Sequence, residues 1–174
     1  ISVETIFICI SVFILFGLDL PWILAASVAG FLIWNWQPAK IFMGDVGSTL
    51  IGFTVGIFMV YYQNFEESSL LVWLMITSLF WFDATFTLFR RWRNHEKLSE
   101  AHKKHAYQRI VQSGFNHQKT VIFSQFINLS MFGLTWLAIV FPVMIVPMFI
   151  INMIYLYLVL RFVDRKFPFA TDNK

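Results

Sequence analysis

The chain has 174 residues, of which 58% are hydrophobic and 13% charged, with a formal charge of +3. Soluble domains run near 45–50% apolar and about 25% charged, so composition excludes both a disordered chain and an ordinary water-soluble domain. A lone cysteine, Cys9, excludes an internal disulfide framework.

Six apolar stretches follow in order: 1–17, 21–34, 48–62, 70–89, 120–141 and 143–162. A bilayer crossing takes about 20 apolar residues, so the sequence predicts an all-α, polytopic membrane bundle of about six transmembrane helices. The second and third stretches are short for a full crossing. The runs are too continuous for barrel strands, and no linker divides the chain, so 1–174 reads as a single membrane domain. No basic stretch with a cleavage site opens the chain, so no signal peptide is expected. Ile1 reads as the start of a piece rather than of a whole protein.

Basic residues orient the spans. Segments 18–20 and 63–69 and the turn at Pro142 hold no Lys or Arg. All 13 basic residues fall on the other side: Lys40, eight within 90–119, and Arg161, Arg165, Lys166 and Lys174. The positive-inside rule makes loops 35–47 and 90–119 and both visible ends cytoplasmic. Trp22, Trp34, Trp36, Tyr61 and Tyr62 suit an interfacial belt.

Two loops carry candidate chemistry. The first reads NWQPAKIFMGDVGS, 35–48. Pro38 ends the helix arriving from the second span, Gly44 and Gly47 permit tight turns around Asp45, and Ser48 suits the N-cap of the third span. A helix N-terminus facing the cytoplasm favours an anion, and a carboxylate beside it suits Mg²⁺ bridged to a nucleotide diphosphate. Asp45 as a simple helix cap is an equal alternative. The second loop is expected to be helical in its middle, so that His102 and His105, at i,i+3, share a face beside Lys103, Lys104 and Arg109. That face could neutralise phosphates, with histidine as a donor or titrating group. A polybasic segment lying on anionic lipid heads explains the same charges. Asp83, inside the fourth span and about two turns before Arg90 and Arg91, is expensive there and a functional candidate by default, with an interhelical hydrogen bond as the competing role. Glu4 and Asp164 sit at span ends with no assigned role. Glu66 and Glu67 face outward and read as solvated.

Three segments together resemble a known family. NWQPAKIFMGDVGS, FDATFTLFRR (82–91) and EAHKKHAYQR (100–109) resemble, in order, segments of the polyprenyl-phosphate N-acetylhexosamine-1-phosphate transferases, glycosyltransferase family 4. The resemblance covers the chain as the family's C-terminal half. It implies transfer of a sugar 1-phosphate from a UDP-N-acetylhexosamine to undecaprenyl phosphate at the bacterial inner (plasma) membrane. The products are a lipid diphosphate sugar and UMP, and Mg²⁺ is the cofactor. By resemblance Asp45 falls on the metal-binding aspartate, and His102 and His105 fall on the catalytic histidine motif. Arg90, Arg91, Arg109, Gly44, Gly47 and Ser48 fall at the substrate phosphates. The partners implied are both substrates and the bilayer. No nucleic acid is expected, and a homodimer is compatible with such a bundle.

The family's N-terminal half carries neighbouring aspartates that have no counterpart here. These residues alone are therefore expected to be a partial sequence with little activity. Two lysines separate His102 from His105, where the peptidoglycan branch has adjacent histidines. That points to the branch starting O-antigen, teichoic acid or other surface polysaccharides. A polytopic transporter using Asp45 and Asp83, or a non-catalytic membrane subunit, are the alternatives.

Overall fold

A computed structural model describes residues 1–65, 69–100 and 103–169. Among the described residues all regular structure is helical, with no strand. Helix α1 (Ser2–Phe16) stops at Gly17, whose φ of +69° lets its N–H reach back to the Phe13 carbonyl. It turns into α2 (Leu20–Asn35), with Pro21 in the first turn and Phe13 against Trp22 edge-to-face at 5.1 Å. Then come α3 (Gly44–Phe65), α4 (Leu70–Ile76), α5 (Ser78–Arg93), α6 (Ala106–Gln112), α7 (His117–Val140) and, after a 3₁₀ turn at Pro142–Met144, α8 (Ile145–Lys166).

The apolar stretches are helices as expected, but their lengths differ. The third is not short: α3 has 22 residues, about 33 Å at 1.5 Å per residue. Its expected start at Ser48 is corrected to Gly44, because Gly-Asp-Val-Gly forms the first helical turn, where N–H groups need no helical acceptor. The short ones are α1, with 15 residues, and α2, with 16. Helices α3 and α7, and α8 with its 3₁₀ turn, are each long and apolar enough to cross a membrane.

The fourth stretch is broken. Helices α4 and α5 meet at 77° with neither Pro nor Gly at the joint. Hydroxyls and an indole serve the carbonyls there. Thr77 Oγ1 donates to Trp73 O at 2.8 Å, Ser78 Oγ to Met75 O at 2.6 Å, and Trp81 Nε1 to Leu74 O at 3.0 Å. Asn152 of α8, fully buried, donates to Ser78 Oγ at 2.9 Å. Freed backbone groups in an apolar medium persist only with such partners, so the break and the α5–α8 contact support each other.

Packing fixes the end-to-end arrangement. Ile8, Val12, Leu18, Tyr62, Val72, Trp73 and Ile76 form one core cluster, with Ile139 and Ile145 against it. These come from the middle and end of α1 and the turn after it, the end of α3, the length of α4, the end of α7 and the start of α8. The alternation inferred from charge therefore matches the packing: the ends without Lys or Arg meet. A second cluster, Ile127, Met131 and Leu156 with Leu79 and Phe82, joins α7, α8 and α5. Glu4, which had no assigned role, accepts from Gln125 at 3.1 Å and from buried Asn128, tying α1 to α7. Of the residues of α3, all of them described, Tyr62 alone is buried.

Candidate active site

The basic ends of the helices carry the sequence-derived candidates. Asp45 lies exposed in the first turn of α3. Gly44 before it has φ +65°, a conformation that strains any residue with a Cβ. Two expectations are corrected. Ser48 is not the N-cap: its Oγ donates to the Asp45 carbonyl at 3.0 Å from within the helix. Gly47 is not a turn residue: a Cβ there would stand 2.6 Å from Met43 Cγ, so it makes room for the Met43 side chain folded over the helix start. Around the carboxylate the first-turn amides have no helical acceptors and carry the positive end of the helix dipole. Beside it, Val46, Thr49, Leu50 and Phe53 line a shallow apolar hollow of about 490 Å³.

The loop before α3 is folded back on α2. Lys40 N–H donates to the Trp34 carbonyl at 2.8 Å, Asn35 Nδ2 donates to Ile41 O at 2.9 Å, and Lys40 Nζ stands 5.0 Å over the Trp34 ring. An open cleft of about 560 Å³ is lined by Gln37, Pro38, Ala39, Phe42 and His117. His117 starts α7, so the two long loops meet there. Sequence reasoning missed Phe42 and His117, since neither carries a periodic or charge signal.

The second loop is held by Arg91, whose side chain is 3% exposed. Its Nε bonds Glu96 Oε2 at 3.1 Å, Nη1 the Leu98 carbonyl at 3.4 Å, and Nη2 the Lys97 and Glu100 carbonyls at 2.5 and 3.2 Å. Lys104 meets the other Glu96 oxygen at 2.9 Å. One guanidinium thus supplies donors to carbonyls that a non-helical turn leaves without helical N–H partners.

The expected helix through the middle of this loop is corrected. Residues 94–100 and 103–105 are turns and irregular chain, and α6 begins only at Ala106 with His105 as its N-cap. Arg91 binds the 97, 98 and 100 carbonyls in place of a helical ladder. His105 therefore precedes the helix rather than lying on a face of it; His102, its expected partner, lies outside the described residues, as do Glu66 and Glu67. His105 instead meets Asp83: Nδ1 is 3.1 Å from Oδ2, while Oδ1 accepts the Ala106 N–H at 3.1 Å. The intramembrane carboxylate flagged by its cost is thus the residue that fixes the start of α6.

Seven residues on, Arg90 projects from the same face of α5, its guanidinium 4.8 Å over the Phe86 ring. It forms a two-point ion pair with Asp164 of α8, Nη1 to Oδ1 being 2.8 Å. Arg109 of α6 reaches the same carboxylate at 2.9 Å and the Phe167 carbonyl at 2.7 Å. The Phe169 ring lies 5.4 Å from both guanidinia. Asp164, unassigned from sequence, is therefore the shared counter-ion that gathers α5, α6 and α8. The one signal available was an acid placed between Arg161 and Arg165 at a basic helix end. Tyr107 on α6 is 54% exposed, and burial of the remainder, aided by the Asp83 charge, raises its phenol above the ordinary value.

Residues 2–63 match glycosyl transferase family 4. The chain is 35% identical over 107 residues to a probable undecaprenyl-phosphate N-acetylglucosaminyl 1-phosphate transferase of Bacillus subtilis, covering 60% of this chain and 30% of that protein. It is 30% identical over 113 residues to a decaprenyl-phosphate N-acetylglucosaminephosphotransferase of Mycobacterium leprae, covering 58% of this chain and 28% of that protein. A phospho-N-acetylmuramoyl-pentapeptide-transferase of Paenarthrobacter aurescens is 58% identical over 38 residues, 22% of this chain and 10% of that protein. No solved structure matches. The helices define a multi-pass membrane protein, and the relatives it resembles are named as phosphosugar transferases. The family match thus falls on the first third of the chain, and the chain spans about 30% of the length of the first of these relatives.

Proposed function

We propose that this protein takes part in transferring a sugar 1-phosphate from a UDP-N-acetylhexosamine to undecaprenyl phosphate, on the cytoplasmic side of a bacterial inner membrane, in the initiation of a surface polysaccharide. The relatives' names supply the reaction class, phosphosugar transfer to a polyprenyl phosphate. The observation that carries the reading is the exposed Asp45 carboxylate in the first turn of α3, inside the family-matched segment.

Among the described residues no three His, Cys, Asp or Glu side chains gather as a metal cage. Mg²⁺ is commonly held by one or two carboxylates together with substrate phosphates and water, and an exposed carboxylate at a helix start fits that role. Asp45 is the residue that would hold it, and the ion supplies charge neutralisation between two anionic reactants. The chain's own groups do the rest. The first-turn amides of α3 offer unpaired donors to a phosphate. The apolar hollow beside Asp45 gives a lipid acceptor a greasy surface next to the polar site. The basic loop attracts both anionic substrates to the membrane boundary. Arg90, Arg109 and Asp164 hold α6, and with it His105, in place.

The test is transfer of label from UDP-[¹⁴C]GlcNAc to undecaprenyl phosphate in membranes from cells expressing the full-length protein that contains this chain. A bridging charge worth about 3 kcal/mol corresponds to roughly a 100-fold loss of rate on Asp45→Asn. Product formation that is equal with and without that substitution refutes the reading.

A further inference from the structure

Helix α8 ends at Lys166, and residues 167–169 lie across the basic end of the bundle. The Phe167 carbonyl accepts from Arg109 Nη1 at 2.7 Å. The Phe167 ring meets Phe115, in the turn between α6 and α7, edge-to-face at 5.6 Å. Two residues on, three cations stand over the Phe169 ring. Arg90 Cζ and Arg109 Cζ are each 5.4 Å from its centroid, and Lys104 Nζ is 5.7 Å away. All three lie within the range of a cation–π contact. They come from α5, from α6 and from the irregular chain before α6. Charge explains why an aromatic ring sits there. Arg90 and Arg109 share the Asp164 carboxylate, and Arg91 and Lys104 share that of Glu96, so positive charge outweighs negative among these contacts. The face of a benzene ring carries the negative part of its quadrupole. An aliphatic side chain of similar size offers no such field.

We infer that residues 167–169 are a strap, in which the Phe169 ring, gripped by Arg90, Lys104 and Arg109, ties the end of α8 to α5, to α6 and to the loop between them. The segment after α8 thereby belongs to the cytoplasmic face that carries Asp83 and Arg109. Opening the strap loosens loop 94–105, because Lys104 then keeps Glu96 but loses its link to α8. The strap does not depend on the transferase reading above.

The experiment is limited digestion by endoproteinase Glu-C of the full-length protein that contains this chain, in lipid nanodiscs, with the fragments identified by mass. The protease can cut the loop after Glu96 or Glu100, and residues 101–174 hold no Glu, so the strap stays intact during the assay. Phe169 is replaced in turn by mono-, di- and trifluorophenylalanine. Fluorine drains negative charge from the ring face while leaving its shape and apolar area nearly unchanged. Phe169→Leu removes the ring altogether. Cleavage after Glu96 or Glu100 is expected to rise with each fluorine and to reach about 5–10-fold in Phe169→Leu, the loss of a cation–π contact of ordinary strength from a segment that opens locally. Equal or slower cleavage across the fluorinated series overturns the inference, even where Phe169→Leu is cut faster, because a ring that serves only as apolar cover does not weaken on fluorination. If Phe169→Leu fails to fold, the fluorinated series alone decides.

Discussion

Truncating Asp164 to alanine removes the carboxylate shared by Arg90 and Arg109. The structure sets the size of the effect. The Arg109 side chain is 6% exposed, Arg90 20% and Asp164 17%, so the three charges meet largely out of water. Arg109 Nε is already buried without a partner, and after truncation Nη1 keeps only the Phe167 carbonyl. Removing one partner of a buried ion pair costs about 3–5 kcal/mol. The partial exposure of Arg90, and its stacking on Phe86, put Asp164→Ala near the lower end, about 3 kcal/mol, or roughly 100-fold in the folding equilibrium. Unfolding by SDS titration in mixed micelles, followed by tryptophan emission, measures it. A cycle with Asp164→Asn and Arg90→Gln should give a coupling of at least about 1 kcal/mol, since the two side chains are in contact. An unchanged unfolding midpoint for Asp164→Ala, or strictly additive effects in the cycle, would refute the shared counter-ion.

Other outcomes follow from the same geometry. Arg91→Lys keeps the charge but loses the planar fork that reaches Glu96 and three carbonyls, so limited trypsin digestion should cut within 94–105 several-fold faster; equal rates would show that the loop holds itself. Gly44→Ala places a Cβ at φ +65°, costing about 1–2 kcal/mol, and should lower the unfolding midpoint by more than Gly47→Ala, whose neighbour is the movable Met43 side chain. Tyr107 has a raised phenol value. Its contribution to stability is therefore fully present below the ordinary tyrosine value of about 10 and is lost as pH rises through the higher folded value. Absorbance at 295 nm during alkaline titration should show a late-ionising tyrosine component that is smaller in Tyr107→Phe.

Composition and period were enough to set the coarse plan of the molecule. Continuous apolar runs dictate helices, because a backbone in lipid must bond within its own segment. The one-sided distribution of Lys and Arg dictates which helix ends lie together, and the packing of Leu18, Tyr62 and Val72 at the other end agrees with it. The loop around Asp45 and the cost of burying Asp83 were also legible, since each rests on local chemistry: glycines beside a carboxylate, and a charge where lipid disfavours one. The partners of these groups emerged only from the packed helices. The break at Thr77 has no Pro or Gly to announce it and depends on Asn152, 74 residues from Ser78. The loop that composition marks as helical is irregular because Arg91, several residues upstream, binds its carbonyls. Asp164 looked idle because the two arginines it neutralises stand 74 and 55 residues away. His105 received its role from Asp83, across 22 residues. Local pattern reads periods and costs. The identity of the group that satisfies a buried charge or a freed carbonyl is fixed only when distant helices pack and water leaves, because only then does an unmet hydrogen bond become expensive.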